Sequence, residues 1–216
     1  MVKKIIFQLL KTLLNSFIAG LILGLCGAGF VLSGGEVFGS LFIGLGFMIC
    51  LLYGYDVFVL KVPYVLENKG LNALETVISV VGNVIGTLII ALILRYTGLH
   101  ELYKTAAGTI ISQAHNFNYL EILVYSIFAG IIVYFGVNTY KKAEQPIARF
   151  LVLLLCGVLA YYVGNSIFSY NTFFYICSSQ EGVRFAEVFG KLTATLCGNV
   201  LGGLIIPLLI KLRRKL

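Results

Sequence analysis

Charge is what this chain has least of: only 12% of its 216 residues are charged, about half the share of a soluble domain. With so little polar material outside the apolar runs, no separate soluble domain is expected. Histidine is almost as scarce, with His100 and His115 alone, and two scattered imidazoles cannot supply the paired pore histidines of an ammonium-type channel. Tryptophan is absent, so any aromatic belt at a membrane surface falls to 13 Tyr and 16 Phe. The five cysteines form no CxxC pair, and Cys26, Cys50, Cys156 and Cys197 fall inside apolar runs. They read as small core residues, which leaves no metal site and no disulfide. HExxH, GxSxG and nucleotide-loop motifs are missing. Near spans two and three the acids are Asp56 and Glu75, and Glu121 opens span four. No catalytic cluster follows, no cofactor is implied, and the chain does not read as an enzyme.

What is present is apolar. Hydrophobic residues make up 59% and the mean hydropathy is +0.97. The net charge of +7 reads as cations flanking membrane helices rather than as a nucleic-acid surface. The chain also repeats itself. Gly82-Asn83-Val84-Ile85-Gly86 recurs as Gly198-Asn199-Val200-Leu201-Gly202, an offset of 116 (198 − 82). Ser16-Phe17-Ile18-Ala19-Gly20 recurs as Ser126-Ile127-Phe128-Ala129-Gly130, an offset of 110 (126 − 16). The chain is therefore a tandem duplication within a single transmembrane domain, 1–216, one half over about 12–94 and the other over about 119–210.

A span needs about 20 apolar residues. Six candidates result: 12–33, 39–60, 76–94, 119–139, 147–170 and 188–210. The run Thr12–Leu32 that follows the basic stretch Met1–Lys11 is too long for a signal h-region and reads as a retained first span. With both termini inside, 12 Lys and Arg fall on inner segments and 4 on outer ones. That bias predicts cytoplasmic termini in a cell membrane. Three spans per half is an odd number, so the second half enters the bilayer from the opposite side. The expected class is an all-α membrane protein of six helices in an inverted 3+3 repeat.

The second and fifth spans carry interruptions in corresponding places. One is Gly54-Tyr55-Asp56-Val57-Phe58 before Lys61 and Pro63; the other is Gly164-Asn165-Ser166 with Tyr170-Asn171-Thr172. Broken helices survive at membrane depth only where protein or water satisfies the freed backbone, and paired breaks mark a substrate path. Gly82 and Gly198, each with a glycine four residues on, have the spacing of close helix crossings. Asn83 and Asn199 beside them are expected to be structural clamps on the freed backbone of the broken spans.

These motifs, in this order, resemble the formate/nitrite transporter family of pentameric anion channels. The likeness rests on Ala19-Gly20 with Gly27-Ala28-Gly29, on Asp56-Val57-Phe58-Val59, on Gly164-Asn165-Ser166-Ile167 followed by Asn171-Thr172-Phe173-Phe174, and on Gly198-Asn199-Val200-Leu201-Gly202-Gly203. The resemblance implies an aquaporin-like fold, a homopentamer in the lipid bilayer, and a pore in each protomer for a small monovalent anion or its weak acid, such as formate, nitrite, hydrosulfide or a short carboxylate. The departures fall where the chemistry should be. Asn165 takes the place of the central pore histidine, Val59 that of a threonine, and Gly130 that of an asparagine. The outer-vestibule lysine aligns near Ala114, with His115 adjacent, while Phe58 keeps its place at a hydrophobic constriction. The candidate path is Asp56, Phe58, Val59, Asn165, Asn171 and His115, with Phe42 and Phe47 narrowing it.

Asparagine offers donors and an acceptor but no charge. A weak acid would therefore take its proton from water and cross neutral, because burying an isolated carboxylate is prohibitive. The alternative is a channel or secondary transporter for a different small neutral or polar solute.

Overall fold

The computed structural model describes residues 2–34, 37–66, 71–115, 117–164 and 185–216. Asn165, Asn171 and the rest of the fifth-span interruption lie outside them. Among the described residues eight α-helices follow in order: α1 Val2–Leu32, α2 Val37–Tyr53, α3 Phe58–Lys61, α4 Leu71–Arg95, α5 His100–His115, α6 Tyr119–Lys142, α7 Pro146–Gly164 and α8 Phe185–Arg213. A 3-10 turn, Val62–Tyr64, follows α3. Among the described residues four helices are long and apolar enough to cross a membrane, or five if the bent pair α2–α3 is one span. The chain is thus an all-helical membrane protein. At 31 residues, α1 would run about 46 Å at 1.5 Å per residue. That exceeds the bilayer core, so its basic first turns stand clear of the apolar layer.

Local chemistry sets several boundaries. Asn118 and Glu121 form a capping box at the start of α6, with Asn118 accepting from the Glu121 N–H at 2.9 Å and Glu121 accepting from the Asn118 N–H at 2.8 Å. Pro146 opens α7, where its missing N–H costs nothing. Hydroxyls inside the apolar helices bond back to their own helix: Ser79 donates to the Glu75 carbonyl at 2.8 Å and Thr195 to the Lys191 carbonyl at 3.0 Å. The stretch between the candidate spans 76–94 and 119–139 holds α5. Its buried Tyr103, Ala107 and Ile110 recur at helical spacing and pack toward α1. The stripe is too short and too diluted by polar residues to read as a span.

The two copies of the repeat make the same contacts. In the first, α1 crosses α4, and a Cβ on Gly82 would overlap the Ser16 side chain. In the second, α6 crosses α8, and a Cβ on Gly198 would overlap Ser126. Gly20 faces the Asn83 backbone as Gly130 faces that of Asn199. Small residues therefore set both crossings, because dispersion at close approach is what holds helices together in lipid. Between the copies α2 packs on α7, and a Cβ on Gly157 would lie 2.6 Å from the Gly44 Cα. Those glycines are 113 residues apart (157 − 44), between the offsets of the flanking helices.

Candidate functional site: the helix break between the halves

The second apolar helix stops at Tyr53 and its direction changes by 59° before the chain resumes at Phe58. Gly54, at φ +72°, ends it. The Tyr55 N–H reaches back to the Cys50 carbonyl at 2.8 Å and the Gly54 N–H to that of Leu51 at 3.4 Å, the Schellman pattern that a left-handed glycine permits. Asp56 and Val57 then run extended, with Val57 at φ −97°, ψ 127°. Helix α3 starts at Phe58 without a side-chain cap from Val57, which leaves the Phe58 N–H and the Asp56 carbonyl needing partners in an apolar interior.

Asn83 satisfies both. Its Oδ1 accepts from the Phe58 N–H at 2.8 Å, and its Nδ2 donates to the Asp56 carbonyl at 2.9 Å and to the Ser16 carbonyl at 2.8 Å. One buried amide thus ties α1, α4 and the break together. It reaches there because Gly82 and Gly20 let α1 and α4 approach until the Asn83 backbone lies against Gly20. Thr87, one turn on, donates to the Gly20 carbonyl at 3.2 Å along the same seam.

Apolar residues flank the break. Phe58, Val57 and Leu60 are buried. The second copy covers them, since a Cβ on Gly203 of α8 would meet Val62 at 2.8 Å, and α6 also touches α3. On the side of α4's first turns a cavity of about 250 Å³ opens, its wall including Tyr55, Asp56, Lys61, Asn72, Glu75 and Lys141. Lys61 stands between two acids there, 2.9 Å from Asp56 and 3.8 Å from Glu75. Glu75 also accepts from Gln8 of α1 at 2.5 Å. The Lys141 ammonium lies 3.3 Å above the Tyr64 ring centroid.

The remaining expected residues spread out. Val59 is half-buried beside Phe58. Phe47 is buried at the α2–α7 crossing near Gly157. Phe42 is exposed on α2 and packs over Gly29 of α1, away from the break. Asn199 is buried on α8, His115 closes α5, and Asn165 and Asn171 lie outside the described residues. Sequence reasoning missed Lys61, Glu75 and Gln8 as members of this site. Among the described residues no group of three metal-ligating side chains occurs.

The family profile "Formate/nitrite transporter" matches residues 1–212. No curated protein matches the chain. Solved structures match it, among them one titled "Pentameric formate channel with formate bound", with TM-score 0.73, 14% identity and 96% of each chain covered. At that identity the likeness is one of fold.

Proposed function

Because the chain belongs to the formate/nitrite transporter family, we propose that each protomer is a channel for a small monovalent anion or its conjugate weak acid. The path runs through the break between α2 and α3 at the seam of the two halves. The observation that carries this reading is the Asn83 amide holding open an extended segment, Asp56–Val57, inside an apolar helix pair. A purely structural helix would close that gap with its own hydrogen bonds.

The cavity that holds Lys61 and Lys141 offers an arriving anion cationic partners, and the buried Val57, Phe58 and Leu60 form the apolar throat beyond it. In such a throat desolvation raises a carboxylic acid's pKa. The solute sheds its charge by taking up a proton and crosses as the neutral acid. On the family resemblance, Asn165 is the hydrogen-bond station for that solute, a fixed amide in place of a titratable histidine.

The halves are related by a pseudo-two-fold axis in the membrane plane, giving a six-helix inverted repeat with its second and fifth helices broken and both termini cytoplasmic. The contact of Gly44 with Gly157 supports this, since equivalent residues meet where such an axis passes. The pentameric assembly of the structural neighbour and the many exposed large apolar side chains support a homopentamer embedded in the lipid of the cell membrane.

The test is solute flux through purified protein in vesicles, across formate, nitrite, hydrosulfide, acetate and neutral solutes, at acidic and neutral pH. Weak-acid flux that rises as pH falls is expected. No flux of any weak acid at either pH would overturn the proposal, and flux confined to neutral solutes would favour the alternative reading. Asn165→His should restore a titration near the imidazole's ordinary pKa of about 6.5 to the pH profile.

A further inference from the structure

The polar stripe that flanks the break on α4 has a counterpart on α8. Glu75, Ser79 and Asn83 correspond to Lys191, Thr195 and Asn199 at the single offset of 116 (191 − 75, 195 − 79, 199 − 83). The correspondence is physical as well as alphabetic. Ser79 donates to the Glu75 carbonyl and Thr195 to the Lys191 carbonyl. Ser79 and Thr195 are each at most 1% exposed, and Asn83 and Asn199 are 7% and 6% exposed. Glu75 lines the cavity at one mouth. Under the inverted repeat proposed above, Lys191, eight residues before Asn199, falls at the corresponding wall of the opposite mouth.

Lys191 is also 6% exposed, an ammonium buried in a helix long and apolar enough to span a membrane. Such groups are costly there and persist where they pair or serve a conduit. Its partner is Glu187, one turn nearer the helix start, at 3.0 Å. An ammonium carries three N–H donors and can hold a carboxylate and an arriving anion together. The repeat has thus turned one position into an acid at one mouth and a base at the other. The acid, Glu75, already stands 3.8 Å from Lys61.

We propose that Lys191 is the anion-receiving cation at the mouth formed by the first turns of α8, a residue that sets apparent affinity for the anion and stands one helix stripe from the throat. This role rests on the channel reading above.

The experiment measures initial formate flux against formate concentration in vesicles, at low and high ionic strength. Lys191→Met is expected to raise the half-maximal concentration about tenfold, the worth of one charge-assisted hydrogen bond. It should also flatten the dependence on ionic strength, with a much smaller loss of maximal flux. Lys191→Arg is expected to keep both properties. A Met variant that matches wild type, or an Arg variant as impaired as the Met variant, would overturn the assignment. Should Lys191→Met fail to assemble, Glu187→Gln decides. It removes the competing carboxylate, so the half-maximal concentration should fall about threefold, and an unchanged or higher value refutes the role. Wild-type protein that carries no anion at all overturns the channel reading and this assignment together, whereas normal wild-type flux with an indifferent Lys191 overturns the assignment alone.

Discussion

Replacing Asn83 by leucine isolates the interaction on which the break depends. The two side chains are close in size, so the cavity term is small and the lost hydrogen bonds dominate. Three disappear, to the Phe58 N–H and to the carbonyls of Asp56 and Ser16, all at 2.8–2.9 Å. The Ser16 carbonyl lies inside α1 and keeps a helical partner, so its loss counts little. The Phe58 N–H and the Asp56 carbonyl are stranded. Each unsatisfied buried group costs about 1–3 kcal/mol, while polar contacts between membrane helices average only about 0.6 kcal/mol. Weighing the two, Asn83→Leu should destabilise the protein by roughly 2–4 kcal/mol. Unfolding in mixed micelles with rising SDS fraction measures this, read by a thiol-reactive fluorophore in a background with Cys156, Cys177 and Cys197 replaced by serine, because Cys26 and Cys50 are free thiols that stay buried until the fold opens. Formate flux should fall in parallel as the extended segment closes. A variant within about 0.5 kcal/mol of wild type, with unaltered flux, would refute the claim that this amide holds the break.

Lys61→Met takes the ammonium from Asp56 and leaves Glu75 with the Gln8 amide, and should cost about 1–3 kcal/mol; in the double variant with Asp56→Asn part of that loss should return, as a double-mutant cycle will show. Gly44→Leu drives a side chain into the Leu154 carbonyl, 2.7 Å from where its Cβ would sit. It should abolish recovery of folded protein, whereas Gly98→Ala, with nothing within 4 Å, should stay within about 0.5 kcal/mol of wild type. Phe58→Ala empties a buried site and should cost about 3 kcal/mol. In the flux assay it should raise passage of acetate relative to formate, and an unchanged ratio would place the narrowest point elsewhere.

Much of the architecture was legible because lipid restricts the choices. The helices α1, α4, α6 and α8 could be read from the apolar runs 12–33, 76–94, 119–139 and 188–210, since backbone in lipid has few partners but its own helix. Each helix is longer than its run, because capping residues and flanking charges such as Lys3, Lys142 and Arg213 lie inside it. Helix α5 escaped notice because its buried stripe is three residues in a polar segment. The interruption at Gly54 could be read from its glycine and the charges after it. Its partners could not. Lys61 looked like any cation flanking a span, and Gln8 and Glu75 are 67 residues apart.

The sequence by itself determined that this chain is helical and apolar and that two of its segments recur. Those properties follow from composition and from letters that recur at offsets of 110 and 116. Only the tertiary structure decided that one amide serves both ends of the break, that Lys61 stands between two acids, and that Lys191 is buried with Glu187. Each of these depends on which helix faces come together, and that is set by glycine contacts between segments far apart in the chain rather than by any local pattern.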